Sequence, residues 1–244
     1  MKDASVRFEM KYRITYYEYL QIRNALSIYM QKDKFTKRAG GKGYFVRSLY
    51  YDTLDYASYH QKMAGDNERV KLRIRTYSPT PDKDSPIRVE LKMRKRNLVI
   101  KKSRLINFEE YENFANTGRW SDENDLLLSE FENHRLSKMS EPKLIIEYFR
   151  ECYETKVPGG LRITFDHEVK SAHSDELFPE HSFYRPHYPG IVIMEIKFKD
   201  EVPAWVKKLV HTYGLRIIAN SKFTQGLQAC RHDLAHPGGI VTIR

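Results

Sequence analysis

Two cysteines, Cys152 and Cys230, are all the thiol chemistry in 244 residues, and they lie far apart with no CxxC spacing. A disulfide framework and a structural zinc site are therefore excluded as organising principles, and a reducing compartment fits. Apolar runs are short. No stretch approaches the roughly 18 consecutive apolar residues of a membrane span, and Met1-Lys2-Asp3-Ala4-Ser5-Val6-Arg7 has no apolar leader core. The chain reads as soluble and cytoplasmic. It has no internal repeat, linker or low-complexity tract, so residues 1–244 read as one domain. Gly40-Gly41-Lys42-Gly43 lacks the spacing and the following Ser or Thr of a P-loop. His167, His173, His181 and His187 have no ligand spacing such as HExxH and read as surface histidines. No histidine sits in a setting that would suit a phosphohistidine kinase.

Acidic residues are the other shortage. Lys and Arg number 42 against 32 Asp and Glu, a formal net charge of +10 with histidines neutral. Such an excess calls for an acidic partner: nucleic acid, an anionic membrane surface or a phosphorylated small molecule. With 41% hydrophobic and 13% aromatic residues, the chain still has enough apolar surface to bury a core, which excludes wholesale disorder.

The first patterned segment, Val6 to Ile14, alternates Phe8, Met10 and Tyr12 with Glu9, Lys11 and Arg13, the period of a two-faced strand. Thr15 and Glu18 form a capping-box pattern, and Tyr19, Ile22, Leu26 and Tyr29 recur at helical spacing, which predicts a helix to about Met30. A basic loop, 32–42, leads to a strand over 44–52 and a short helix over 55–63. Strands follow at 69–77, 87–96 and 98–107, turning near Arg96-Asn97. Two helices are expected between 108 and 138, broken at Gly118. Strands at 143–154 and 161–170 are joined by Val157-Pro158-Gly159-Gly160, a hairpin signal. A last strand at 190–199 precedes a helix with Pro203 in its first turn. A tail helix over 224–236 ends at Pro237-Gly238-Gly239.

Ionic residues keep to alternate positions on these strands. Lys71, Arg73 and Arg75 share one face while Val70, Leu72 and Ile74 take the other, and Glu90, Lys92 and Arg94 repeat this against Val89, Leu91 and Met93. Lys102 with Arg104, Arg150, Arg162, and Glu195 with Lys197 extend the pattern. A merely solvated face would mix Thr, Ser, Gln, Glu and Lys in balanced sign. This one is mostly cationic, with Glu9, Glu90 and Glu195 among the bases. It suits either an open basic sheet on a nucleic acid or a closed barrel with cations turned inward around a polyanion. Inward cations need anionic compensation, which a phosphate chain and a metal-binding carboxylate would provide.

Phe8-Glu9-Met10-Lys11-Tyr12-Arg13, Tyr50-Tyr51-Asp52-Thr53, Leu72-Arg73-Ile74-Arg75, Val89-Glu90-Leu91-Lys92, Tyr148-Phe149-Arg150, Leu161-Arg162-Ile163-Thr164-Phe165-Asp166, Met194-Glu195-Ile196-Lys197 and Ser221-Lys222-Phe223-Thr224-Gln225-Gly226, in that order, resemble the VTC domain. This is the polyphosphate polymerase of the vacuolar transporter chaperone complex and its stand-alone bacterial relatives, within the triphosphate tunnel metalloenzymes. The resemblance spans nearly the whole chain. It implies an α+β fold whose antiparallel strands close into a β-barrel tunnel with flanking helices. ATP would bind inside and pass its γ-phosphoryl to a growing inorganic polyphosphate chain, and ADP would leave. A divalent metal, Mn2+ or else Mg2+, would assist. By position, Lys11, Arg73, Arg75, Lys92, Arg150, Arg162 and Lys222 would act on the reacting phosphates. Arg13, Arg47, Lys71, Arg94, Lys102, Arg104 and Lys197 would bind the rest of the substrate. Glu195, with Glu9 and Glu90, would hold the metal.

A polymerase needs no strong general base, because its nucleophile is an already anionic phosphate oxygen. Hydrolytic relatives activate water, and their first strand usually reads Glu-x-Glu-x-Lys. Arg7-Phe8-Glu9-Met10-Lys11 replaces the first carboxylate with a base. That departure weighs against triphosphatase or tripolyphosphatase and adenylate cyclase readings, which stay open alongside a non-catalytic polyphosphate-binding module. Glu147 falls on the opposite face from Arg150 by strict alternation and is left out of the site. No specific nucleic acid partner is expected, no oligomeric state is indicated, and any membrane partner would be a separate protein.

Overall fold

Residues 8–96, 98–122, 124–156 and 160–231 are described by a computed structural model. Arg7, the Val157-Pro158-Gly159 part of the hairpin, Asn97 of the tight turn and the tail beyond Arg231 lie outside the described residues. The chain is α+β. Strands β1 (Phe8–Thr15), β2 (Met30–Lys32), β3 (Tyr44–Asp52), β4 (Glu68–Thr76), β5 (Ile87–Lys95), β6 (Leu98–Ile106), β7 (Glu141–Thr155), β8 (Arg162–His173), β9 (Arg185–Pro186) and β10 (Ile191–Phe198) form one antiparallel sheet. Its order is β1-β10-β8-β7-β3-β4-β5-β6, with β2 on β7 and β9 on β8. Among the described residues seven helices pack on it: α1 (Tyr16–Leu26), α2 (Lys34–Arg38), α3 (Ala57–Ala64), α4 (Phe108–Thr117), α5 (Leu126–Ser137), α6 (Ala204–Thr212) and α7 (Lys222–Cys230). Among the described residues no helix is long and apolar enough to cross a membrane.

Local chemistry accounts for most boundaries. Thr15 accepts from the Glu18 N–H while the Glu18 carboxylate reaches back to the Thr15 N–H at 2.6 Å, so the expected capping box starts α1. Asn107 and Glu110 start α4 in the same way. Gly118, at φ 70°, ends α4 in the left-handed conformation that only glycine adopts freely. The segment read as a basic loop instead contains α2, because the buried Asp33 side chain caps the Thr36 N–H. The helix expected to reach Met30 stops at Leu26, and Met30 pairs with Thr155 in β2.

Three cores divide the faces of the sheet. On the outer face, Leu49, Leu72, Ile74, Val89 and Leu91 pack beneath α4 and α5 through Phe114 and Phe131. Further round that face, Tyr12, Ile14, Ile163, Phe165 and Met194 pack beneath α1 and α6 through Ile22, Leu26 and Val206. The third core is on the inner face, where Val46, Tyr50, Leu144, Ile146, Tyr148 and Ile193 receive Phe223 and Leu227 of α7 and Tyr59 of α3. Burying Phe223 and Leu227 stabilises this docking by about 1.5–3 kcal/mol each.

The inner face is concave. β1 and β4 are five steps apart in the strand order, yet Lys11 Nζ donates to the Asn220 carbonyl at 3.0 Å and Lys71 Nζ to the adjacent Ser221 Oγ at 3.4 Å. The sheet curls far enough for both strands to reach one turn of chain. Among the described residues no backbone pairing joins β1 to β6, so the barrel expected from the sequence extends here to a curled sheet with two edges. The β1 edge is met by the strand-like approach of the segment before α7, with the Ile218 N–H donating to the Lys11 carbonyl at 2.9 Å.

One irregularity sets the two halves of the inner face. The β7–β8 register shifts between Glu147 and Phe149, and Glu168 sits at φ 51°. This bulge changes the alternation of β8. Before it, Asp166 pairs with Arg150 on the inner face; after it, Val169 and Ser171 face inward against α7.

Candidate functional site

The register of β4 and β5 places Arg73 opposite Glu90, Lys71 opposite Lys92, and Arg69 opposite Arg94, all on the inner face. Glu90 is 1% exposed and ion-paired to Arg73 and Lys101, with Arg75 at 3.8 Å. Burial alone would raise its pKa, but Arg73, Arg75 and Lys101 hold the carboxyl far below the usual glutamate range. Arg73 Nη1 also donates to the Tyr50 hydroxyl at 3.0 Å. Burial would push that phenol up; Arg73 and Arg75 outweigh it and bring it down to about 8.

A second cluster is built on Asp166, which is fully buried. Arg150 grips it with a planar fork, Nε at 2.6 Å and Nη2 at 2.8 Å, and Lys222 from the first turn of α7 closes on the same carboxylate. Arg150 and Lys222 overcome the burial penalty and keep Asp166 ionised to well below the ordinary aspartate range. The third cluster spans β1 and β10. Lys11 pairs with Glu9 at 2.7 Å and Lys197 with Glu195 at 2.8 Å, and Lys11 lies opposite Glu195 in the ladder. Burial opposes ionisation of Glu195, but Lys197, Lys11 and Arg150 hold it well below the usual value. Arg162, at the end of this face, is held by Asp33 at 2.9 Å and by Cys152 Sγ at 2.6 Å.

Lys11, Arg73, Arg75, Lys92, Arg150, Lys222, Lys71, Arg94 and Lys197 thus share the inner face, as do Glu9, Glu90 and Glu195. Arg13 lies on it two residues beyond Lys11, exposed at the rim and stacked on the Tyr188 ring at 4.0 Å. Three expected residues do not. Arg47 points to the outer face, where Glu147 accepts from its Nε at 2.6 Å and the Leu177 carbonyl from its Nη1 at 3.2 Å. Lys102 and Arg104 also face outward, and acids of the α5 region hold them: Glu130 and Asp125, each at 2.6 Å. The inward lysine of β6 is Lys101. Adjacent lysines occupy both phases of that strand, so only the pairing of Lys101 with Lys92 decides between them. Glu90, expected to help hold the metal, lies among three cations on β4 and β6. His167 and His187, expected at the surface, are half-buried: His167 packs edge-on against Tyr19 with ring centres 4.5 Å apart, and His187 lies 3.0 Å from Ser171 Oγ.

Sequence reading assigned no role to Asp166, Lys101 or Tyr50. Asp166 was legible in principle, because Arg162, Thr164 and Asp166 alternate on one strand. Tyr50 was masked by its neighbour Tyr51, which faces the outer core.

The chain thus presents a curled antiparallel sheet with helices on both faces and a concave face dense in Arg and Lys. The solved structure of a candidate adenylate cyclase from Bacillus halodurans shares this fold, with a TM-score of 0.53 at 13% identity, covering 89% of this chain and 94% of its own. A candidate adenylate cyclase from Vibrio parahaemolyticus aligns at 0.49 and 12% identity over 91% and 98% of the two chains. The Mimivirus capping enzyme triphosphatase aligns at 0.35 and 12% over 86% and 89%. No curated protein matches in sequence. The family model of the VTC domain matches residues 6–231, and the chain belongs to the VTC domain family.

The resemblance to the VTC domain implies a divalent metal. Among the described residues no three His, Cys, Asp or Glu side chains form a ready cage. Glu9 and Glu195 lie diagonally across paired strands, Glu9 opposite Lys197 and Glu195 opposite Lys11. Two carboxylates completed by phosphate oxygens and water match what a hard cation such as Mg2+ or Mn2+ accepts. The donor set fits a metal that arrives with its phosphate ligand.

Proposed function

We propose that this chain is a polyphosphate polymerase, taking ATP onto the concave face, transferring its γ-phosphoryl to the end of an inorganic polyphosphate chain and releasing ADP. The curled sheet would enclose the phosphates as a tunnel. Glu195 and Glu9 would hold the divalent metal, Mn2+ or Mg2+, which neutralises charge on the transferring phosphoryl when bound. Arg73, Arg75, Lys101, Arg150, Lys222 and Lys11 would orient the phosphates and balance the charge that spreads over their oxygens.

The state of the carboxylates supports this choice of reaction. Glu90, Asp166 and Glu195 are all held below the ordinary carboxyl range by the cations around them. They are weak bases, poorly suited to drawing a proton from water, for which a pKa near the working pH is needed. Attack by a phosphate oxygen needs no such proton transfer. The reaction then depends on holding two anions in line on a cationic surface, which is what this face offers.

Incubation of the purified protein with ATP and Mn2+ should give ADP and a ladder of polyphosphate, and Arg73→Ala should abolish the ladder. Orthophosphate without polymer would overturn the reading in favour of a triphosphatase. Tight binding with no turnover, unaffected by Glu195→Gln, would mark a binding module.

A further inference from the structure

Residues 33–43 lie across one end of the concave face. β2 and β3 pair with the same side of β7, at 153–155 and 141–150, and 33–43 leave the sheet between them. The excursion folds inward. Cys152 and Arg162 share the inner phase of Arg150 and Asp166 on β7 and β8, and Asp33 and Thr36 settle on them. Asp33 Oδ2 accepts from Arg162 Nη2 at 2.9 Å, the Asp33 N–H donates to the Cys152 carbonyl at 2.8 Å, and the Cys152 N–H donates to Thr36 Oγ1 at 3.0 Å. Phe35 leans on the inner Tyr44 with ring centres 6.0 Å apart. Asp33, Thr36 and Cys152 are buried by this arrangement. Little apolar contact holds it. Phe35 is the only large apolar side chain in 33–43 and is 48% exposed, while Lys34, Lys37, Arg38 and Lys42 are exposed. An element with few buried apolar contacts opens at low cost. Its return to β3 runs through Gly41 and Gly43, at φ 78° and 96°, where a side chain would restrict the backbone. Asp33 is the single acid of the segment, and Arg162 is that acid's partner.

We propose that residues 33–43 are a latched plug at one end of the concave face, which a polyphosphate chain opens when its end reaches Arg162 and displaces the Asp33 carboxylate. The inference rests on the polymerase reading and makes the length of the product a signal. The Arg162 side chain is 46% exposed, so an anion reaches it with the plug in place, whereas the Asp33 side chain is only 5% exposed. Phosphate oxygens match the guanidinium fork as a carboxylate does. Once Arg162 is taken, Asp33 is a buried carboxylate without its cation and beside a polyanion. That state is costly, and swinging into water relieves it. Arg162 lies four residues from Asp166 along β8, about 13 Å at 3.3 Å per residue, so three phosphates held at Arg150 and Lys222 stop short of it. Short ligands leave this end closed; a grown chain opens it and passes through.

Amide hydrogen exchange of the full-length protein, without ATP or divalent metal, tests the plug. Long-chain polyphosphate should speed exchange across 33–43 and at Cys152 by about tenfold, the worth of one charge-assisted hydrogen bond, while slowing it in α7. Inorganic tripolyphosphate should slow α7 and leave 33–43 unchanged. Asp33→Ser keeps a helix cap but is too short to reach Arg162. It should exchange fast over 33–43 with no ligand and gain nothing from polyphosphate, and its Cys152 should react faster with N-ethylmaleimide, with Cys230 as the internal reference. Slower or unchanged exchange over 33–43 in the wild type with the long chain bound would overturn the plug whether or not the variant folds. So would a free Asp33→Ser protein that exchanges like the wild type. If the long chain opens 33–43 but ATP and Mn2+ give no polymer, the plug stands and the polymerase reading fails; polymer made without opening sinks the plug alone. A wild type that binds neither phosphate ligand overturns both.

Discussion

Asp166 shows what a single buried charge does on this face. Its two oxygens are shared among Arg150 and Lys222, so removing the charge strands two cations in a place without water. Breaking such a pair costs about 3–5 kcal/mol, and Asp166→Asn should lower the urea midpoint correspondingly. The carboxyl is held below its unfolded value, so its contribution is fully present above about pH 4, the ordinary aspartate range, and is lost as pH falls through the folded value. The Asn variant should therefore show a shallower acid decline than the wild type, and a parallel decline would refute this role. Phosphate should partly rescue the variant by taking the place of the lost carboxylate between Arg150 and Lys222. At this scale the sequence was informative about charge and phase and silent about partners. Arg73, Arg75 and Lys92 were correctly phased because their strands alternate without interruption. Lys102 and Arg104 were not, because cations follow one another in β6 and alternation alone cannot say which points inward.

Among the elements, α7 decides whether the inner face is complete. It brings Lys222 to Asp166, and it packs so close to the sheet that a Cβ at Gly226 would lie 2.7 Å from Leu144 Cδ2 and 3.0 Å from Ser171 Oγ. Gly226→Ala removes an intrinsic helix penalty of about 1 kcal/mol, yet the methyl must displace α7 or Leu144. The clash should win. We expect a net loss of about 1–3 kcal/mol, visible as a lowered melting temperature, together with weaker binding of tripolyphosphate as Lys222 is carried off Asp166. A more stable protein with unchanged binding would show that α7 has slack. A helix was expected over 224–236, whereas α7 starts at Lys222, where Ser221 caps it, and ends at Cys230. Its seat was not legible, because the inner apolar patch is assembled from β3, β7, β8 and β10, and the β8 part depends on a bulge that alternation in the sequence does not reveal.

For the molecule as a whole, the balance of charge on the concave face predicts how stability responds to ligand. A polyanion that binds only the folded form stabilises by mass action, by about 2.7 kcal/mol at a hundredfold excess over its Kd. Tripolyphosphate should accordingly raise the melting temperature by several degrees, and the shift should shrink as salt screens the face. No shift at low salt would mean that the cations are satisfied within the protein. The α+β class, nearly every long strand and the family were readable from order and alternation along the chain. How far the sheet curls was not, because curvature arises from contacts between β1, β4 and the segment before α7, which are far apart in sequence. The docking of α7 also sets an order of assembly during synthesis. Leu144, Ile146, Tyr148, Val169 and Ile193 are translated before the helix that covers them, so a ribosome-bound chain presents a sticky hollow until Phe223 and Leu227 emerge. Premature termination before residue 222 should thus yield aggregates in place of a smaller soluble protein.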